Sequence, residues 1–147
     1  MPRSTTKPQR PEPTFWVDEC LGGGEFESTL RVGGLRVVVN KFPKGTIDTD
    51  WLQGVASRDW VAITSDRLKA DLAEQVALVA HARCFVMIGA GAHRDLANLF
   101  LRKIKWVRRV IESEEGAFLG KIYIAGERTE VVSFADLLPK SRRRWGR

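Results

Sequence analysis

The chain is poor in the features that mark secreted and membrane proteins. It has two cysteines in 147 residues, Cys20 and Cys84, with neither C-x-x-C nor zinc-ribbon spacing. Both lie in or beside apolar segments, so the expectation is two buried thiols in a reducing compartment rather than a disulfide. No run of about 18 uncharged apolar residues exists, which excludes a membrane-spanning helix of ordinary length. Residues 1–13 are polar and proline-containing, without the apolar core of a secretory signal, so a cytoplasmic location is expected. There are only two histidines, His81 and His93, and neither stands beside a serine or cysteine suited to nucleophilic catalysis. They read as ordinary surface histidines. Internal repeats and low-complexity stretches are also missing from the body of the chain.

What is present is basic charge, unevenly placed. The net charge is +6, but residues 1–13 contribute +2 and residues 139–147 contribute +5. Residues 14–138 hold sixteen basic and seventeen acidic side chains, a net of −1. The expected organisation is therefore a flexible basic tail over 1–13, one domain over 14–138, and a second basic tail over 139–147. Basic tails raise encounter rates with any polyanion and carry no sequence choice, and a solvated terminus explains them as well.

Apolar runs alternate with helical periodicities along the body. Phe15-Trp16-Val17 and residues 35–39, 60–63 and 84–88 read as short buried strands. Residues 25–32, 48–56, 68–82 and 94–111 read as helices. In the last of these Leu96, Leu99, Phe100, Ile104, Val107 and Ile111 form a single stripe. Residues 117–124 and 130–134, joined through Ala125-Gly126-Glu127-Arg128, read as a β-hairpin. Such alternation predicts an α/β domain: a mainly parallel sheet between two helical layers, with a C-terminal hairpin.

In open α/β sheets the functional crevice lies beyond the carboxyl ends of the strands. Three acids reach that rim. Asp18 ends the first strand, Asp48 opens the helix between the second and third, and Asp66 follows the third by a short step. Glu19 and Asp50 lie beside two of them. Clustered carboxylates repel one another unless a cation neutralises them. Mg²⁺ or Mn²⁺ would do so through hard oxygen ligands, polarising a phosphodiester and retaining water for attack. Asp48 and Asp66 also precede helices, where Asp is a favoured N-cap, and on spacing alone capping is the stronger reading for those two. Asp18 is harder to set aside, since an acid closing a buried strand needs a partner.

The string Val17-Asp18-Glu19, then Leu35-Arg36-Val37-Val38-Val39, then Gly45-Thr46-Ile47-Asp48-Thr49-Asp50-Trp51-Leu52, then Trp60-Val61-Ala62-Ile63-Thr64-Ser65-Asp66 resembles the PIN-like domains. It is similar in particular to the compact VapC-type toxins of toxin–antitoxin modules: an Asp closes the first strand, D-x-x-W-L opens a helix, and a strand runs into T-x-D. The likeness covers residues 15–90. It implies a three-layer α/β/α nuclease in which Asp18, Asp48 and Asp66 are the catalytic, metal-binding acids of a Mg²⁺- or Mn²⁺-dependent endoribonuclease. Glu19 matches an acid that often follows the first Asp. The implied partners are an RNA substrate and a small antitoxin protein, with a homodimer left open and no membrane. A nuclease of the same fold in RNA or DNA processing, and a non-catalytic module that binds nucleic acid or protein, are the alternatives. The fourth acid of larger PIN domains has no clear counterpart, since Asp71 and Glu74 match no motif.

Other signals are weaker. Gly22-Gly23-Gly24 fails the dinucleotide pattern at Glu27, and Gly89-Ala90-Gly91 fails it at Arg94, so both read as tight turns. Arg102, Lys103, Lys105, Arg108 and Arg109 give the last helix a basic side, either a solvated face or a phosphate-tracking groove. Trp145 in the C-terminal tail could stack on a base, though a disordered tail is the simpler reading.

Overall fold

The computed structural model describes residues 12–21, 24–39, 48–65 and 76–133. Within them the chain runs β1 (Thr14–Val17), a 3-10 turn (Glu19–Leu21), α1 (Glu25–Val32), β2 (Arg36–Val38), α2 (Asp48–Ser57) and β3 (Val61–Ser65). It continues through β4 (Arg83–Ile88), α3 (His93–Arg102), α4 (Ile104–Ser113), β5 (Phe118–Tyr123), a second 3-10 turn (Ala125–Glu127) and β6 (Thr129–Ser133). The expected tails fall outside the described residues apart from Glu12 and Pro13. The same holds for Asp66, Asp71 and Glu74, for most of the helix expected over 68–82, and for Phe134.

The six strands form one sheet in the order β2-β1-β3-β4-β5-β6. The first five are parallel, and β6 runs back antiparallel to β5. The α/β architecture and the closing hairpin thus stand as the residue pattern predicts. The strand order is what the pattern could not supply. It reverses at β1, which has β2 on one side and β3 on the other, so the crevice at the topological switch opens beyond the ends of β1 and β3.

Alternation along the strands feeds two cores. On one face Phe15, Val17, Val61, Ile63 and Phe85 meet α1, α3 and α4 through Phe26, Leu30, Phe100 and Val107. On the other, Trp16, Ala62, Cys84 and Val86 meet α2 and residues 76–82 through Trp51, Leu52, Val55, Val76 and Val79. Both faces of β1, β3 and β4 are therefore covered, which is why these strands read as uninterrupted apolar runs. The first core centres on Phe85, whose ring meets Phe100, Trp106 and Phe118 edge-on at 6.0, 5.8 and 5.3 Å. Gly120 is its register partner on β5, and a Cβ there would come within 2.5 Å of the Phe85 ring. A side chain at that position would push the Phe85 ring aside.

The helix expected over 94–111 is two helices. Lys103 (φ −97°, ψ 10°) ends α3 and starts α4. Its amide still reaches the carbonyls of Leu99 and Phe100, and its own carbonyl accepts from Val107. The apolar stripe thus passes through the bend unbroken, which hides the bend from periodicity. None of the described helices is long and apolar enough to cross a membrane.

Candidate metal centre

Asp18 is the first residue beyond β1, and its amide donates to the carbonyl of Ile63 at 3.0 Å, one rung past the Val17↔Ile63 pairing. That rung places Asp18 at the carboxyl edge of the sheet, between the two strands where the order switches. Its carboxylate is held at both oxygens: Oδ1 accepts the Glu19 amide at 2.7 Å, and Oδ2 accepts the Thr64 hydroxyl at 2.6 Å. Thr64 is fully buried on β3, so its donor is fixed by the strand rather than by a mobile loop. Two hydrogen bonds to the ionised form offset much of the cost of holding this half-buried acid at a strand end.

The 3-10 turn after β1 folds Cys20 back over the same group. Its Sγ lies 3.4 Å from Asp18 Oδ2, 3.4 Å from Thr64 Oγ1 and 3.3 Å from the Ser65 amide, which donates to it. The expectation of two buried thiols therefore holds for Cys84 alone, because Cys20 is exposed. The reason is local: a strand would have turned Cys20 into a core, whereas the turn closed by the Leu21 amide on the Asp18 carbonyl brings it out to the rim. Thr64 and Cys20 both contact Asp18, and neither was named among the expected site residues. The T of T-x-D was a usable signal for the first, and nothing in the spacing marked the second.

Asp48 is the first residue of α2. The parallel crossover from β2 to β3 requires α2 to run back against the strand direction, so the helix begins at the carboxyl edge of the sheet. Trp51, one turn into α2, stacks on Trp16 of β1 with ring centroids 4.9 Å apart and planes at 26°. From that contact, one turn back along α2 leads to Asp48 and two residues forward along β1 lead to Asp18. The two backbones therefore approach the same rim. Nothing is described of the Asp48 side chain, and Asp66 lies just past Ser65, outside the described residues.

The described part of the rim has the donor chemistry of a hard-cation site. It offers an oriented carboxylate, and among the described residues the buried Ser65 hydroxyl at the end of β3 has no hydrogen-bond partner. Leaving such a group unsatisfied costs about 1–3 kcal/mol, which ordered water or the hydration shell of an ion removes. Among the described residues no three acids, histidines or cysteines gather into a metal-holding group. The described rim fits a hard divalent ion in kind and does not by itself complete a ligand set.

The family comparison agrees with this frame. The model of a family described as PIN like domain matches residues 13–89, just over half of the chain. The chain belongs to the PIN-like domain family. These domains are generally nucleases and commonly use divalent metals, so a phosphodiester hydrolase is the class to which this fold and rim correspond. The matched segment begins immediately before β1 and ends at the close of β4, which takes in both strands of the topological switch. No curated protein and no solved structure matches the chain.

Proposed function

We propose that this protein is a Mg²⁺- or Mn²⁺-dependent endoribonuclease in which Asp18, Asp48 and Asp66 hold the ion at the β1/β3 crevice. The observation that carries the reading is the Asp18 carboxylate, fixed by the buried Thr64 hydroxyl at the topological switch of a PIN-like sheet. The Trp16–Trp51 stack supports Asp48 as the second ligand, because it sets the start of α2 over the same edge. Asp66 is supported by its place directly after Ser65, the end of the strand that pairs with β1.

When bound, the ion would supply Lewis-acid polarisation of the phosphoryl oxygen. The chain supplies the rest. Thr64 and the Glu19 amide keep both Asp18 oxygens from swinging, so the acid meets its ligand without first paying to be ordered. Glu19, exposed beside Asp18, adds negative charge at the rim and draws cations toward it.

The choice of RNA, and a role as the toxin of a toxin–antitoxin pair with a small antitoxin as partner, belong to this proposal through the VapC-like motif string. Expression alone should arrest growth, and co-expression of a neighbouring small protein should restore it. Unimpaired growth on expression of an enzyme that cleaves RNA in vitro would move the protein to RNA processing. For the hydrolase itself, cleavage of single-stranded RNA with Mn²⁺ should be lost in Asp18→Asn together with Mn²⁺-dependent thermal stabilisation. Cleavage that survives in that variant would contradict the site.

A further inference from the structure

The opposite edge of the sheet carries a second feature that the hydrolase reading does not use. A cavity of about 460 Å³ opens at the amino ends of the strands, where Thr14, Arg36, Trp60 and Arg83 start or precede β1, β2, β3 and β4. Its size falls within the range of about 300–1,000 Å³ usual for small-molecule sites. Four arginines from four separate parts of the chain reach it: Arg36, Arg58, Arg83 and Arg108.

Their partners differ in a telling way. Arg83 is half-buried and held by the carbonyl and carboxylate of Asp59 at 2.8 and 2.9 Å, and Arg108 is paired with Glu12 at 2.9 Å. Among the described residues Arg58 reaches only a neutral group, the Gly54 carbonyl at 2.9 Å, while its guanidinium is held 5.4 Å above the Trp60 ring. Arg36 makes no hydrogen bond or ion pair among the described residues. Glu112, the third acid of the cavity wall, pairs with none of them. Two guanidiniums without carboxylate partners among the described residues thus face a concave, nucleotide-sized space, one of them pre-ordered on an aromatic ring. A planar fork of this kind suits bidentate phosphate recognition.

We infer that this cavity binds the phosphate monoester of a nucleotide, with Arg36 and Arg58 as the phosphate ligands and Arg83 as a fixed wall. The ligand has two sources, a free mononucleotide or the 5′-phosphorylated end of an RNA strand. The site lies at the far end of the sheet from Asp18, so binding there does not need the metal centre.

The test is fluorescence anisotropy on the whole protein in EDTA, where no hydrolysis occurs and the metal reading is not engaged. The probe is a labelled ten-residue RNA with a 5′-phosphate, set against the same RNA with a 5′-hydroxyl. The 5′-phosphate should tighten binding about tenfold or more, the scale of one or two charge-assisted hydrogen bonds. The Arg36→Ala/Arg58→Ala variant should lose that preference while Asp18→Asn keeps it. Both substituted arginines are exposed, and an unchanged melting temperature verifies that the variant folds. Displacement of the RNA by AMP would assign the site to mononucleotide chemistry, and 5′-phosphate preference without AMP competition would assign it to strand ends. Equal binding of the two RNAs, or a preference that survives in the double variant, overturns the inference. So would a glutamate-rich peptide that competes as well as the phosphorylated RNA, since it would make the cavity an acidic-peptide site.

Discussion

The two ends of the sheet are built on opposite principles. At the carboxyl edge the Asp18 carboxylate is held by the Thr64 hydroxyl, the Glu19 amide and the Cys20 thiol, all of them neutral donors, with the exposed Glu19 side chain beside it. At the amino edge charges of both signs interleave, and most acids there are matched to an arginine. The first arrangement has the donor character of a cation site; among the described residues of the second, Arg36, Arg58 and Glu112 stand outside the ion pairs. The strands between them are nearly all apolar, so the ends do not share side chains and can be disabled separately.

The sharpest break of that comparison is at Asp18. Asp18→Asn should reduce Mn²⁺-dependent RNA cleavage by about a thousandfold, the equivalent of several kcal/mol of lost transition-state stabilisation, in a gel or fluorescence cleavage assay. The melting temperature without metal should change little.

Thr64→Val comes next. It keeps the volume of the strand residue and removes the donor to Asp18 Oδ2, so cleavage and Mn²⁺ affinity should each fall by about 10–100-fold. Thr64→Ser should restore both, which separates positioning of the acid from mere packing.

Between the two ends, Gly120→Ala should leave both sites chemically intact and cost about 1–3 kcal/mol of stability, because its Cβ would meet the Phe85 ring. Urea unfolding monitored by circular dichroism measures it.

The smallest effect is expected at Cys20. Cys20→Ser keeps a weak donor near Asp18, so cleavage should stay within about fivefold of the parent, the scale of one neutral hydrogen bond. A loss comparable to that of Asp18→Asn would make the thiol a member of the metal site rather than its neighbour.

Much of this was legible in the residues, for physical reasons that differ from place to place. Strands β1, β3 and β4 announce themselves because both of their faces are buried, and the β5–β6 hairpin because Gly126 supplies the positive φ of its turn. Asp18 stood out as a polar stop on an apolar strand. The order of the strands was not legible, since any right-handed winding satisfies the same local patterns. Nor was the bend at Lys103, because an apolar stripe continues across it. The arginine cavity stayed hidden for a different reason: Arg36, Arg58, Arg83 and Arg108 are spread over more than seventy residues and meet only where parallel strands begin together. The basic side foreseen for the last helix is in part an ion-pair surface, with Arg102 on Glu127 and Arg108 on Glu12.

The proposed function depends on one divalent ion shared by Asp18, Asp48 and Asp66 at the β1/β3 edge. Anomalous diffraction from crystals grown with Mn²⁺ tests it most directly. A single strong peak about 2.0–2.5 Å from oxygens of all three carboxylates is expected. A peak elsewhere, or carboxylates of Asp48 or Asp66 turned to another side of the molecule from Asp18, would contradict it.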